Sequence, residues 1–295
     1  MKKKIHFIVN PIAGNGKNEL SNMFLEPYFP KEDYLVTIKK TEFAFHAVSL
    51  TKTSIQEGAQ IIVACGGDGT INEVASCLIN SSVILGILPM GSGNGLASNL
   101  KIPKNFKKAL LVIGKQKTIC IDTGSINGEP FLSNTGVGFD AHVISDFEKN
   151  TTRQLLSYVR SSFRTLKKYN YNTVVELDFN GTSEKISPFL LFISNSNEMG
   201  YRMSLTPRAS LQDGLLDLVI VPQLSHFKLF IFTLLFLFKK HFWLKEVRWE
   251  QLTSIGIRSV DNSVLKAQKD GGMFAAQSPK IYIEIHPRTL KLCIP

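Results

Sequence analysis

The 295-residue chain has only four cysteines, Cys65, Cys77, Cys120 and Cys293, far apart and without the spacing of a metal site. They sit in apolar segments, so they read as reduced core residues of a cytoplasmic protein rather than a disulfide framework. Long hydrophobic runs are also missing. The longest apolar stretch, residues 227–238, is interrupted by Lys228 and closed by Lys239, Lys240 and His241. It falls well short of the roughly 20 residues that span a bilayer. Lys2, Lys3 and Lys4 are followed by too few apolar residues before Asn10 and Pro11 for a signal-peptide core. Acidic residues are scarce: 24 Asp and Glu stand against 34 Lys and Arg, a net charge of +10. That balance favours anionic partners such as a nucleotide or an acidic lipid surface. No aromatic–basic RNA motif or recognition-helix pattern accompanies it, which argues against nucleic acid. Repeats and low-complexity tracts are absent, and the length suits two modest domains or one large one.

What is present centres on residues 61–74. Ile61, Ile62, Val63, Ala64 and Cys65 read as a strand buried on both faces. Gly66, Gly67, Asp68, Gly69 and Thr70 turn the chain into a helical pattern carried by Ile71, Val74, Ala75 and Leu78. Strand, glycine turn and helix together aim backbone N–H groups at an anion. Asp68 is then a carboxylate where a bound phosphate would repel it, a conflict that a cation or a proton in transit resolves. Two more corners follow strands in the same way. Residues 4–9 lead into Asn10, Pro11, Ile12, Ala13 and Gly14, and residues 83–88 lead into Gly91, Ser92, Gly93 and Asn94. The first corner continues to Gly16 and Lys17 but is no Walker A loop, since Asn18 replaces the required Ser or Thr. In open α/β sheets ligands bind at the carboxyl ends of the strands, so the three corners should converge on one site.

Residues 66–73, Gly-Gly-Asp-Gly-Thr-Ile-Asn-Glu, resemble the motif shared by diacylglycerol and sphingosine kinases, NAD kinases and, more distantly, phosphofructokinases. Asn-Pro-Ile-Ala-Gly at 10–14 and Gly-Ser-Gly-Asn-Gly-Leu-Ala at 91–97 resemble the lipid-kinase forms, and NAD kinases lack the latter. Gly-Val-Gly-Phe-Asp-Ala at 136–141 and the stretch from Pro207 through Asp213 to Asp217 match further family segments. The resemblance implies an α/β nucleotide-binding domain over residues 1–122, three-layered and NAD kinase-like, with a mostly parallel sheet. It implies a predominantly antiparallel β lipid-substrate domain over 123–286, with a tail of about 287–295 returning to the first domain. The implied activity is ATP-dependent phosphorylation of the primary hydroxyl of a membrane lipid, diacylglycerol or a sphingoid relative. An NAD kinase-type enzyme is the alternative.

The same resemblance implies site residues. Nucleotide contacts fall on residues 10–14, on Thr41, on Gly66 through Thr70 with Asn72 and Glu73, and on Gly91, Ser92 and Asn94. Mg²⁺ is implied on the Asp213 carboxylate and carbonyls near Ser210 and Leu215, a reasonable set for a hard cation. Asp122 corresponds to an acid that reaches the acceptor alcohol in relatives, and a structural role stands equally open. One departure matters. Where the family carries Asp-Gly-Glu, this chain has Asp270, Gly271 and Gly272, so the glutamate proposed as base is missing. Asp68, Asp122 and Asp270 are left as candidates, and a nucleotide- and lipid-binding pseudokinase is a further alternative. The implied setting is cytoplasmic, peripheral on the inner face of an anionic membrane, and relatives are often homodimers.

Outside these motifs, residues 151–169 read as an amphipathic helix whose Arg153, Arg160, Arg164, Lys167 and Lys168 form either a solvated basic face or a lipid-headgroup surface. Asn127 and Gly128 mark a hairpin turn. Residues 174–179, 188–195, 215–221 and 281–285 read as strands. Residues 227–243 are expected as a buried helix, with an acyl-chain pocket as the functional alternative. His46 reads as a helix-capping or surface histidine.

Overall fold

The computed structural model describes residues 2–14, 20–147, 173–200 and 203–295. The helix expected over 151–169 and the Gly16–Lys17 stretch lie outside the described residues. The chain forms two compact units, Met1–Ile121 with Arg288–Pro295, and Asp122–Pro287.

The first unit is an α/β layer structure. Its strands β1 (Lys3–Val9), β2 (Tyr34–Lys40), β3 (Ile61–Gly66) and β4 (Ile84–Pro89) lie in the order β2-β1-β3-β4, all parallel. Every residue of β3 is buried, as a parallel strand covered on both faces requires. Helices α1 (Asn22–Leu25), α2 (His46–Gln56), α3 (Asp68–Ser76), α4 (Gly95–Asn99) and α5 (Phe106–Lys115) connect or flank these strands. Ile71, Val74 and Ala75 on α3 recur at helical spacing and are fully buried. The carboxyl-terminal residues add a parallel pairing, Leu292 opposite Leu85.

The second unit is a β-sandwich. One sheet runs β12 (Arg248–Leu252), β11 (Leu216–Pro222), β10 (Pro188–Ser194), β7 (Asn134–Gly138), β14 (Lys266–Lys269) and β15 (Gly272–Ala275), all antiparallel. Facing it are β8 (Val175–Phe179), β9 (Thr182–Ile186) and β13 (Ser254–Ser259), joined by the first part of the long β16 (Lys280–Cys293) and by the hairpin of β5 (Thr118–Ile126) with β6 (Glu129–Phe131). Side chains of both sheets, among them Leu191, Leu218, Leu177, Ile257 and Ile283, meet in one core. The period of two shows directly: Leu191, Ile193, Leu218 and Ile220 point into that core, while Leu190, Phe192, Val219 and Val221 join a second cluster. Helix α6 (Phe139–Phe147) follows β7, and α7 (His226–Leu237) supplies Leu229, Phe232 and Phe236 to the second cluster.

Two expectations need correction. The apolar segment at 227–243 is not a buried helix: within α7 only Phe232 is buried, because one side alone finds a partner among the described residues. Of the four cysteines, all free, Cys77 and Cys120 are half-buried rather than core.

Candidate active site

In the first unit the strand order reverses direction between β1 and β3, the switch point at which such sheets bind ligands. All three corners meet there. The Asn10 amide donates to the Cys65 carbonyl at 2.9 Å, and its side-chain Nδ2 donates to Thr70 Oγ1 at 3.3 Å. Asn10 Oδ1 accepts the Ile12 N–H, and the Asn10 carbonyl accepts that of Ala13, so the loop closes on itself and leaves Pro11 and Ile12 exposed. Gly14 has φ 68° and lies so near the third corner that a Cβ would sit 2.8 Å from the Met90 carbonyl oxygen. A Cβ on Gly91 would lie 2.6 Å from the Cα of Gly67. These glycines are what allow the corners to touch.

Asp68 ties the second corner to the third. Its two carboxylate oxygens accept the backbone N–H groups of Asn94 and Gly95, each at 2.8 Å, at the start of α4. Burial pushes its carboxyl above the ordinary range, with the bonds to Gly95 and Asn94 pulling the other way. Asn94, at φ 52°, in turn accepts the Gly91 N–H on its Oδ1 at 3.0 Å. Gly69 differs from the other glycines. It is exposed, and a Cβ there would meet nothing within 4 Å. Gly67, the N-cap of α3, offers no side-chain cap, so among the described residues no N-cap side chain occupies the positive end of that helix. Ser92 is exposed beside it, and Asn72 is half-buried on α3. Thr41 donates its N–H to the Val9 carbonyl at 2.8 Å, which sets it at the β1 end. Glu73 accepts the Phe45 N–H at 3.3 Å and so anchors the start of α2 to α3. His46, the first residue of α2, accepts the Glu42 N–H on its Nδ1.

In the second unit Asp122 is wholly buried. Its Oδ2 accepts the Gly214 N–H at 2.8 Å, its own N–H donates to the Leu211 carbonyl at 2.7 Å, and its carbonyl accepts from Asn195 Nδ2 at 2.8 Å. It therefore fixes the loop that carries Ser210, Asp213 and Leu215. Ser210 Oγ accepts the Gln212 N–H, and the exposed Asp213 accepts the Leu215 N–H at 3.1 Å across a turn with Gly214 at φ 72°. Asp217 is fully buried and accepts from Trp249 Nε1 at 2.7 Å. Burial above all, with repulsion from Asp213, pushes its carboxyl from 3.8 to about 6. An exposed carboxylate whose field already raises a buried neighbour is a place where a cation relieves repulsion, so the loop fits Mg²⁺. Among the described residues no three His, Cys, Asp or Glu side chains cluster as a metal cage. Such an ion would thus rest on one carboxylate, carbonyls and water.

Asp270 and Gly271 form the two-residue turn between β14 and β15, with φ of 49° and 79° as a type I′ hairpin demands. The Asp270 carboxylate accepts the N–H groups of Leu132, Ser133 and Asn134 at 2.8, 2.7 and 3.0 Å. Burial raises its carboxyl, against the pull of those three bonds. Gly272 opens β15. Sequence reasoning missed Asn195, whose Nδ2 also donates to the Leu132 carbonyl at 2.9 Å, and the Asp217–Trp249 pair. The signals were there: a polar residue ending an apolar strand, and the acid that closes the segment beginning at Pro207.

Comparison with known proteins places this geometry in a family. Residues 4–126 match the diacylglycerol kinase catalytic domain, and residues 133–294 match the YegS C-terminal NAD kinase beta sandwich-like domain. A diacylglycerol kinase of Bacillus subtilis is 25% identical, with 96% of this chain and 95% of that protein covered. A probable lipid kinase YegS-like protein of Chromohalobacter salexigens is 31% identical over 59% of this chain and 58% of its own length. The crystal structure of a putative diacylglycerol kinase from Bacillus anthracis matches with a TM-score of 0.75 at 21% identity, covering 99% of this chain and 95% of that one, which shows the fold. Against two of the curated relatives it matches, the chain spans just over half of their length. With a catalytic-domain match followed by a β-sandwich match over more than half its residues, the chain belongs to the diacylglycerol kinase-type lipid kinase family.

Proposed function

We propose that the chain transfers the γ-phosphoryl group of ATP to the primary hydroxyl of diacylglycerol, giving phosphatidic acid, at an anionic membrane surface to which it attaches peripherally. The observation that carries the reading is the joined set of corners at the switch point, with Gly69 exposed and no N-cap side chain on α3 among the described residues. Residues 10–14, Thr41, Gly66 through Thr70, Asn72, Glu73, Gly91, Ser92 and Asn94 would hold the nucleotide. Relatives that carry the name diacylglycerol kinase support the choice of acceptor.

Phosphoryl transfer asks mainly for in-line positioning and charge neutralisation. Asp68 is given the role of base: it takes the hydroxyl proton as the hydroxyl oxygen bonds to the γ-phosphorus and the bond to the departing ADP breaks. A carboxyl raised by burial is better suited to that task than an ordinary one. Mg²⁺ would be held by Asp213 with the carbonyls of Ser210 and Leu215, where it would neutralise the charge of that loop, and the charge on the phosphates would be met by the cation that accompanies ATP. Asp122 and Asp270 act in this reading as positioning residues, through the loops they pin.

The test is incubation with γ-labelled ATP and a panel of lipids in mixed micelles, with NAD as a control. Label in a lipid that is lost on Asp68→Ala is the expected result. Label in NAD alone would overturn the reading. The absent glutamate at Gly272 favours a second reading, a binding protein without turnover, marked by ATP binding and no labelled lipid.

A further inference from the structure

Helix α7 carries two apolar stripes. Leu229, Phe232 and Phe236, at i, i+3 and i+7, face the cluster against the six-stranded sheet. Phe227, Phe230, Leu234 and Leu237, at i, i+3, i+7 and i+10, form a second row that Phe238 extends. At about 100° per residue the two rows lie roughly opposite one another. No described residue covers the outer row: its members are between 43% and 73% exposed, and Trp243 is 70% exposed. Five large exposed apolar side chains along one helix and its C-cap exceed the scattered exposure normal on a soluble surface.

Their neighbours identify the partner. Residues 226–245 contain four lysines and no acid. Lys228 pairs with Glu246, which also feels the charge of Lys245, whereas Lys239 and Lys240 form no salt bridge among the described residues. Lys240 Nζ lies 4.4 Å over the Trp243 ring. A tryptophan and lysines flanking an apolar strip are the signature of a segment at the lipid headgroup level. The helix has 12 residues, which makes it about 18 Å long and too short for a hydrocarbon core of about 30 Å. A strip of this kind lies in the plane of the interface.

We propose that the outer row of α7, with Phe238 and Trp243 and the lysines 239, 240 and 245, docks the chain on an anionic phospholipid bilayer. The proposal deepens the lipid-kinase reading and rests on it for the substrate that the docking serves. The apolar row enters the headgroup–acyl boundary while the lysines meet lipid phosphates.

The experiment uses vesicles of phosphatidylcholine, alone or mixed with phosphatidylglycerol, in co-sedimentation. It also uses tryptophan quenching by bromine-labelled lipid. The wild-type chain should bind the mixed vesicles and be quenched, and Trp243→Phe should lose most of the quenching. The triple variant Phe230→Ser, Leu234→Ser, Phe238→Ser should partition about a hundredfold less with its unfolding midpoint unchanged, since these side chains are exposed. Lys239→Gln with Lys240→Gln should lose the preference for phosphatidylglycerol, about tenfold. Short-chain soluble diacylglycerol should be phosphorylated equally by wild type and the triple variant, while the vesicle-embedded lipid is not. If no lipid is phosphorylated at all, the kinase reading fails and the partitioning results still decide the docking. Equal partitioning of wild type and triple variant overturns the proposal. So does a dimer that the triple variant dissolves, with no vesicle binding by either.

Discussion

Asp217 offers a prediction whose size can be worked out. Its carboxyl is fully buried in β11 and moves from 3.8 to about 6 on folding, chiefly through loss of water. For a raised carboxyl the sign is fixed. The group favours the folded state fully below its unfolded value, and that contribution is lost as pH rises through the folded value. At pH 7 its ionisation costs the folded state about 3 kcal/mol, and at pH 5 only about half of that. Asp217→Asn removes the charge and keeps an acceptor for Trp249 Nε1. The new amide brings an uncompensated donor that costs about 1 kcal/mol, independent of pH. The gain over wild type should therefore be larger at pH 7 than at pH 5 by roughly 1.3 kcal/mol. Urea unfolding followed by tryptophan fluorescence suits the purpose, because both tryptophans, Trp243 and Trp249, belong to the second unit. A gain that is the same at both values, or larger at pH 5, would refute the reasoning.

Four further outcomes are expected. Gly91→Ala drives a Cβ to 2.6 Å from the Gly67 backbone and should lower the melting temperature by several degrees, about 2 kcal/mol, in a thermal melt. Gly69→Ala meets nothing, so it should leave the melt nearly unchanged and weaken ATP binding about tenfold in calorimetry. Asp270→Ala strips three N–H groups of their acceptor and should cost about 3 kcal/mol in urea unfolding. Gly272→Glu should raise the lipid phosphorylation rate by tenfold or more if the natural chain lacks an optimal base, as a labelled-ATP assay will read.

The first unit was legible because its signals are local. Five apolar residues from Ile61, a glycine turn and a helical repeat lie within 18 positions, and each corner repeats the scheme. The convergence of the corners followed from a rule about parallel sheets, not from any one residue. What stayed hidden depends on distant partners. Strands β9 and β14, Thr-Ser-Glu-Lys-Ile and Lys-Ala-Gln-Lys, are too polar to announce themselves, and they exist because β8 and β7 pair with them. Helix α7 is apolar all round, so periodicity could not say which side would be covered. Asp68 and Asp270 were legible as acids in glycine-rich turns. That each would spend its carboxylate on backbone N–H groups many residues away was not.

This use of carboxylates narrows the choice of base. Asp122 is wholly buried, and Asp270 accepts three N–H groups, so the first presents no surface to a hydroxyl and the lone pairs of the second are largely committed. Asp68 accepts two from α4, retains part of its surface, and stands at the start of α3. A carboxylate has about four acceptor positions, so capacity remains for an incoming hydroxyl. The bonds that keep the third corner in place also hold Asp68 in one orientation. Asp68→Asn and Asp68→Ala therefore separate its two duties. Asn keeps an oxygen for one N–H and should preserve nucleotide affinity to within a few fold while abolishing transfer; Ala should lose both. Equal nucleotide affinity in the two variants would mean that the α4 cap does not hold the corner, and transfer retained by Asn would remove Asp68 from the role of base.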